Sequence, residues 1–149
     1  AALDVLKNEI IPACTLLTPN IPEAELIAQM KIDSQRDMML CAKKIYAMGC
    51  GAALVKGGHY GGMPIDILYD GNGFYKYSSP RINTKNTHGT GCTLSSAITA
   101  FLAKGNSIQQ SVLLGKKYVY NAIKNSLEIG KGHGPLHHFY DYYSMKGFE

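Results

Sequence analysis

Two short β-prone runs, CTLLT at residues 14–18 and AALVKGG at 52–58, each stop at a turn signal, and two helix starts lie between them. That alternation constrains the fold more than any other feature of the chain. Short apolar runs separated by helical patterns are the sequence form of buried parallel strands with helices on the sheet faces. An α/β fold is therefore expected, with a mostly parallel sheet. Before the first run, Leu3, Leu6 and Ile10 recur at helical spacing until Pro12 intervenes. After it, Asn20 marks a turn, and Pro22 with Glu23 opens a helix. Ser34 with Asp37 forms a capping-box pattern ahead of Met38, Ala42, Ile45 and Ala47, and Gly49 closes that helix.

Beyond Gly58 the rhythm changes. IDILYDGNGFYKYSS, residues 65–79, predicts two strands joined at Asp70-Gly71-Asn72-Gly73 in a small antiparallel hairpin. A helix follows from about Gly91 to Ala103, stopped by Gly105, and Ser107 caps a longer one reaching about Ile129. Its expected apolar stripe is Val112, Leu113, Lys116, Val119, Tyr120 and Ile123. The aromatic tail is expected to dock, because exposed aromatics are costly.

Composition narrows the function classes. The 149 residues are 46% hydrophobic and 17% charged, enough for one ordinary core, and the net charge of +4 is not gathered on one segment. Nucleic-acid binding is disfavoured by that spread. No apolar run approaches a membrane span and no export signal is read at the start, so a cytoplasmic protein with reduced thiols is expected. The cysteines at 14, 41, 50 and 92 lack the spacing of a zinc site; the first three read as small core residues.

Cys92 is set differently, in KNTHGTGCTLSSAITAF at residues 85–101, where Gly89-Thr90-Gly91-Cys92 turns a loop into a helix. First-turn N–H groups lack internal partners and the helix dipole adds positive charge there, so glycines at this point allow an anion to approach the backbone closely. The same field favours a thiolate at Cys92. A plain tight turn with a buried cysteine explains the same residues, and His88 four positions before Cys92 also permits a base and nucleophile pair. Neither the P-loop nor the usual dinucleotide glycine pattern occurs. In a parallel sheet, ligands gather at the carboxyl ends of strands. Asn20 and Glu23, after the first run, are oxygen donors suited to Mg²⁺ or its waters, and Lys56 with Gly57, ending the second, suits phosphate. Turn, helix-start and strand-end roles account for each of them singly.

TPNIPEAE, VKGGH, SSPRINTKNTHGTGCTLSSAI and GKGHGPLHHF, in this order and spacing, closely resemble the hydroxymethylpyrimidine/phosphomethylpyrimidine kinases of thiamine synthesis, in the ribokinase-like superfamily. The resemblance implies a three-layer α/β/α fold and ATP-dependent phosphorylation of a hydroxymethylpyrimidine and its monophosphate, with Mg²⁺. It implies that Gly89, Thr90 and Gly91 form an anion hole, that Cys92 stands where the sugar kinases carry an aspartate base, that Asn20 and Glu23 match the element for Mg²⁺ and phosphate, and that Lys56 contacts nucleotide phosphate. His88 is left as a loop-positioning residue.

Against that family pattern the chain is expected to be the C-terminal, ATP and anion-hole portion of one kinase domain, inactive alone, with its N-terminal part absent. A sheet cut at its middle would favour self-association, so a homo-oligomer is expected. Alternatives are a pyridoxal-type kinase, a non-catalytic nucleotide-binding or assembly module, and a thiol hydrolase using Cys92 and His88.

Overall fold

Helix α1, Ala2–Val5, runs on through a π turn at Leu6–Ile10 and a tight 3₁₀ turn at Ile11–Ala13, where Pro12 stops it as its missing N–H requires. The coordinates are a computed structural model describing residues 2–58, 64–127, 129, 132 and 134–146. They divide into two compact units, Ala1–Pro80 and Arg81–Glu149.

In the first unit, α2 (Ile21–Ala28) starts at Asn20 and α3 (Gln35–Tyr46) at Ser34, as expected from their caps. The Ser34 hydroxyl accepts the Asp37 N–H at 3.2 Å and donates to the Asp37 carboxylate at 2.7 Å. That hydroxyl, together with the Asp33 amide, holds the Asp37 carboxyl below its usual range. Met38, Cys41, Ala42 and Ile45 form the buried stripe of α3; Ala47 lies beyond the helix and is exposed. Strands β1 (Ala53–Val55), β2 (Ile65–Tyr69) and β3 (Phe74–Ser78) make a sheet in that order, antiparallel throughout.

The expected mostly parallel sheet is thus present only in part. CTLLT, bent at Thr15, forms no strand, but residues 17–20 run parallel beside β1 and its exit through bridges Leu17 to Ala53 and Asn20 to Lys56. The link from β1 to β2, residues 56–64, is shorter than a parallel crossover needs, so β2 returns antiparallel. The hairpin is as expected: Asp70 Oδ1 accepts the N–H groups of Asn72 and Gly73, each at 2.9 Å, closing the turn between Tyr69 and Phe74. The core gathers Ile11, Ala24, Ile27, Ile45, Val55 and Ile67. Cys41 and Cys50 are buried with them, while Cys14 is half-buried at the margin.

In the second unit, α4 (Thr90–Ala103) packs on α5 (Ile108–Lys124). Helix α5 ends five residues before the expected Ile129, with the Asn125 side chain bonded to the Asn121 carbonyl at 2.9 Å. Its buried stripe is Ser111, Val112, Gly115, Val119 and Ala122, rotated from the expected one, and Leu113 is 51% exposed. The rotation follows from Gly115, whose bare Cα admits Ile98 of α4 at a distance a Cβ would not allow. Among the described residues the tail docks over 134–138: the Gly134 N–H bonds Asn86 Oδ1 at 3.0 Å, Leu136 is buried, the His137 N–H bonds Ala122 O at 3.0 Å, and the Tyr118 hydroxyl bonds His138 O at 2.9 Å. Phe139, Tyr142 and Tyr143, expected to dock, stay exposed around helix α6 (Tyr140–Lys146) and stack on one another instead. Among the described residues no helix is long and apolar enough to cross a membrane.

The stripe rotation is testable in urea. Val112→Ala should lose about 2 kcal/mol, the value of two buried methyl groups with some cavity. Leu113→Ala, on the exposed side, should stay within about 0.5 kcal/mol.

Candidate functional site

The first unit brings Asn20, Glu23, Lys56 and Gly57 together at the ends of two parallel segments. The Lys56 N–H donates to Pro19 O at 2.9 Å, setting Asn20 beside Lys56 in the bridge. Asn20 and Glu23 close a reciprocal capping box. The Glu23 N–H donates to Asn20 Oδ1 and the Asn20 N–H to Glu23 Oε2, each at 2.9 Å. A chemical role for either side chain would therefore use atoms that the helix cap also uses. Glu23 Oε1 is the carboxylate oxygen outside the box.

Gly57 is buried and its N–H donates to Asp66 Oδ1 at 2.9 Å. A Cβ there would collide with the Ile65 carbonyl and approach Met38 Cε to 2.9 Å. Its amide is thus engaged by protein, and the missing side chain serves close packing of β1 on β2. His59, the last residue of VKGGH, lies outside the described residues, as do several of the GKGHG run.

The second unit holds Gly89, Thr90, Gly91 and Cys92 at the start of α4. Gly89 is the N-cap, with φ +80°, a left-handed conformation that a side-chain-bearing residue adopts only under strain. Among the described residues, chain neighbours aside, no atom lies within 4 Å of the place a Cβ would occupy, so glycine here leaves open space over the helix start. The Thr90 N–H and hydroxyl both donate to Thr87 O, at 3.3 and 2.6 Å, and the Thr93 N–H to Gly89 O at 2.9 Å. Among the described residues, the Gly91 and Cys92 N–H groups have no protein acceptor. The open first-turn donors are therefore those of Gly91 and Cys92, while the Thr90 amide is already used internally. Cys92 is exposed, unlike the buried cysteine of the plain-turn reading. His88 is also exposed, and no hydrogen bond joins it to Cys92 among the described residues. Cys92 opens on a groove of about 440 Å³ that passes Ser96 and Lys104.

A divalent cation fits the first unit only as Mg²⁺ is commonly bound, through one carboxylate with waters and phosphate oxygens completing the shell. Among the described residues no three His, Cys, Asp or Glu side chains converge as a metal cage. Among the described residues, Glu23 Oε1 lies outside the capping box and could supply such a carboxylate oxygen.

The sequence model of the phosphomethylpyrimidine kinases matches residues 1–137. The chain belongs to that family. It is 44% identical over 136 residues to the hydroxymethylpyrimidine/phosphomethylpyrimidine kinase of Bacillus subtilis, covering 90% of this chain and 50% of that protein. It is 43% identical over 138 residues to the thiamine biosynthesis bifunctional protein ThiED of Geobacter sulfurreducens, covering 92% of this chain and 28% of that protein. Among solved structures it resembles the pyridoxal kinase of Bacillus subtilis in an ADP complex, with a TM-score of 0.86 and 35% identity over 92% of this chain and 54% of that one. The fold is accordingly ribokinase-like α/β. The chain spans about half the length, or less, of the curated relatives it matches. All nine residues singled out from the sequence, His88 included, fall inside the family match.

Two residues escaped the sequence reading. Asp66, which receives the Gly57 amide, sits inside a strand pattern where an acid carries no signal of its partner. Asn86 is 2% exposed in the loop before α4, and a lone asparagine among threonines and lysines reads as a solvated turn.

The cysteines differ enough in setting to be told apart. Burial pushes the Cys41 thiol up to about 11 and raises that of Cys50 as well. An alkylating reagent at pH 8 should modify exposed Cys92 in the folded chain and reach Cys41 and Cys50 only after denaturation, as read by peptide mass. Because folding holds the Cys41 proton more tightly than the unfolded chain does, stability should fall as pH rises from about 9 to about 11, and Cys41→Ala should flatten that decline in urea melts. Gly57→Ala should lower stability by about 1–3 kcal/mol through overpacking, measured as a reduced urea midpoint.

Proposed function

We propose that this chain supplies the ATP and phosphoryl-handling portion of a kinase that phosphorylates a hydroxymethylpyrimidine and then its monophosphate in thiamine synthesis. The family match over residues 1–137 carries the reading, because it encloses both the capping-box pair beside Lys56 and the open helix start at Cys92.

The chemistry follows from what each group can do. The Gly91 and Cys92 N–H groups receive oxygens of the phosphoryl group in transfer, whose negative charge a helix start stabilises. Gly89 leaves the approach clear, and the Thr90 hydroxyl and amide, both tied to Thr87 O, hold the turn in shape. The Cys92 thiolate accepts the proton of the substrate hydroxyl as its oxygen bonds to phosphorus and the bond to the leaving diphosphate breaks. Lys56 pairs with nucleotide phosphate as a point charge. Glu23 Oε1, with Asn20 fixing its partner oxygen, would hold Mg²⁺ through water, and the metal would neutralise phosphate charge. The substrate is a small molecule and the setting a cytoplasmic one; self-association through an uncovered sheet edge or apolar face belongs to the same proposal.

The identity of 35% with a pyridoxal kinase favours a second reading, in which the hydroxymethyl group phosphorylated is that of a pyridoxal-type ring. Both acceptors carry a primary hydroxyl on a heteroaromatic ring, so the groups named above serve either.

Isothermal titration of the 149-residue chain with Mg·ATP should show binding that Lys56→Ala weakens, while coupled assays with the pyrimidine should show little or no turnover by this chain alone. In the active enzyme containing these residues, Cys92→Ala should lower kcat by about 10²–10⁴ with small change in KM. Full turnover by the chain alone would refute the division of labour, near-normal kcat in Cys92→Ala would remove the proton-acceptor role, and preference for pyridoxal would favour the second reading.

A further inference from the structure

Asn86 is a buried amide whose every polar atom is used. Its Nδ2 donates to Ser126 Oγ and to Leu127 O, both at 3.3 Å, and its Oδ1 accepts the Gly134 N–H at 3.0 Å. Its own N–H is taken by Thr84 Oγ1 at 3.1 Å. One side chain thus ties the loop before α4 to two other segments, the exit of α5 and the tail. Gly134 is fitted to this contact: a Cβ there would overlap Asn86 Oδ1 and come within 2.7 Å of its Cγ. Such a network specifies one geometry, since every member satisfied rigidifies the site and any member lost leaves a buried polar group unpaired.

The clamp acts on the helix start through a short covalent and hydrogen-bonded path. Thr87 directly follows Asn86, and its carbonyl takes both the N–H and the hydroxyl of Thr90. Gly89 then accepts the first hydrogen bond of α4 from Thr93. Gly89, left-handed at φ +80°, has no side chain to fix its own position, and the Thr90 bonds hold the turn only to Thr87, so the turn as a whole is anchored through the residue next to Thr87, Asn86.

We infer that Asn86 is the positioning residue for the first turn of α4, with the Gly134–Leu136 segment as the wall it braces against. It touches no reacting group; it sets where the Gly91 and Cys92 donors stand. The inference rests on the functional reading above for its meaning, but its geometry can be tested without it.

Amide hydrogen exchange on the full 149-residue chain, followed by NMR, separates positioning from general stability. Asn86→Ala and Gly134→Ala, made in segments 48 residues apart, should each raise exchange at the Thr93 N–H by at least about tenfold relative to the Ile98 N–H in mid-helix, and move the same Gly91 and Cys92 resonances. Ser126→Ala, which removes one partner and keeps the fold, should produce a smaller change of the same pattern. Asn106→Ala, at the far end of α4 where Asn106 bonds Phe101 O, should leave the first turn unchanged. Exchange rising equally at Thr93 and Ile98 in all the clamp variants would overturn the inference, and so would unmoved Gly91 and Cys92 resonances in Ser126→Ala. A localised effect in a chain that fails to bind Mg·ATP would uphold the brace and count against the kinase reading alone.

Discussion

Three backbone hydrogen bonds hold residues 17–20 alongside β1: Leu17 N–H to Ala52 O, Leu54 N–H to Leu17 O, and Lys56 N–H to Pro19 O, at 2.8 to 3.0 Å. Much of the first unit depends on this parallel pairing. It fixes where α2 begins, and so where Asn20 and Glu23 stand. It places Lys56 beside them, and it gives β1 a neighbour on the side that β2 does not occupy. Parallel neighbours ending at the same level are what make the carboxyl edge of a sheet a place where several side chains meet.

The second unit solves a different problem. Among the described residues the Gly91 and Cys92 donors at its helix start have no protein acceptor, and such donors are costly when buried or crowded. Here the cost is limited by exposure: Gly89, Gly91 and Cys92 are exposed, while the loop leading to them is tied down through the Asn86 side chain and the Thr87 carbonyl. Rigid support thus lies one residue layer behind an open surface.

Local signals carried much of the fold. Caps at Asn20, Ser34 and Ser107, the turn at Asp70, and the glycine before α4 are each readable because one residue's own chemistry decides the backbone nearby. What escaped depends on partners distant in sequence. CTLLT has the composition of a strand, but within it only Leu17 bridges to β1, and the second bridge of the pairing falls beyond it at Asn20. On α5 hydrophobicity marks Leu113, whereas close helix packing selects Gly115 and Ser111, which turns the buried stripe one step round. The site was legible as residue types at a helix start and two segment ends. Its allocation of donors was not, since nothing in the order of letters says that Thr87 consumes the Thr90 amide or that Asp66 consumes that of Gly57.

The reciprocal box between Asn20 and Glu23 has an evolutionary corollary. Each side chain completes the other's backbone hydrogen bonding, so drift at one position changes the fitness of every residue at the other. The pair should behave epistatically: a replacement at 20 that spares oxygen chemistry can still unseat the carboxylate at 23 by loosening the turn that aims it. Because the box is a complete helix cap in its own right, its persistence in a lineage is by itself no record of catalysis.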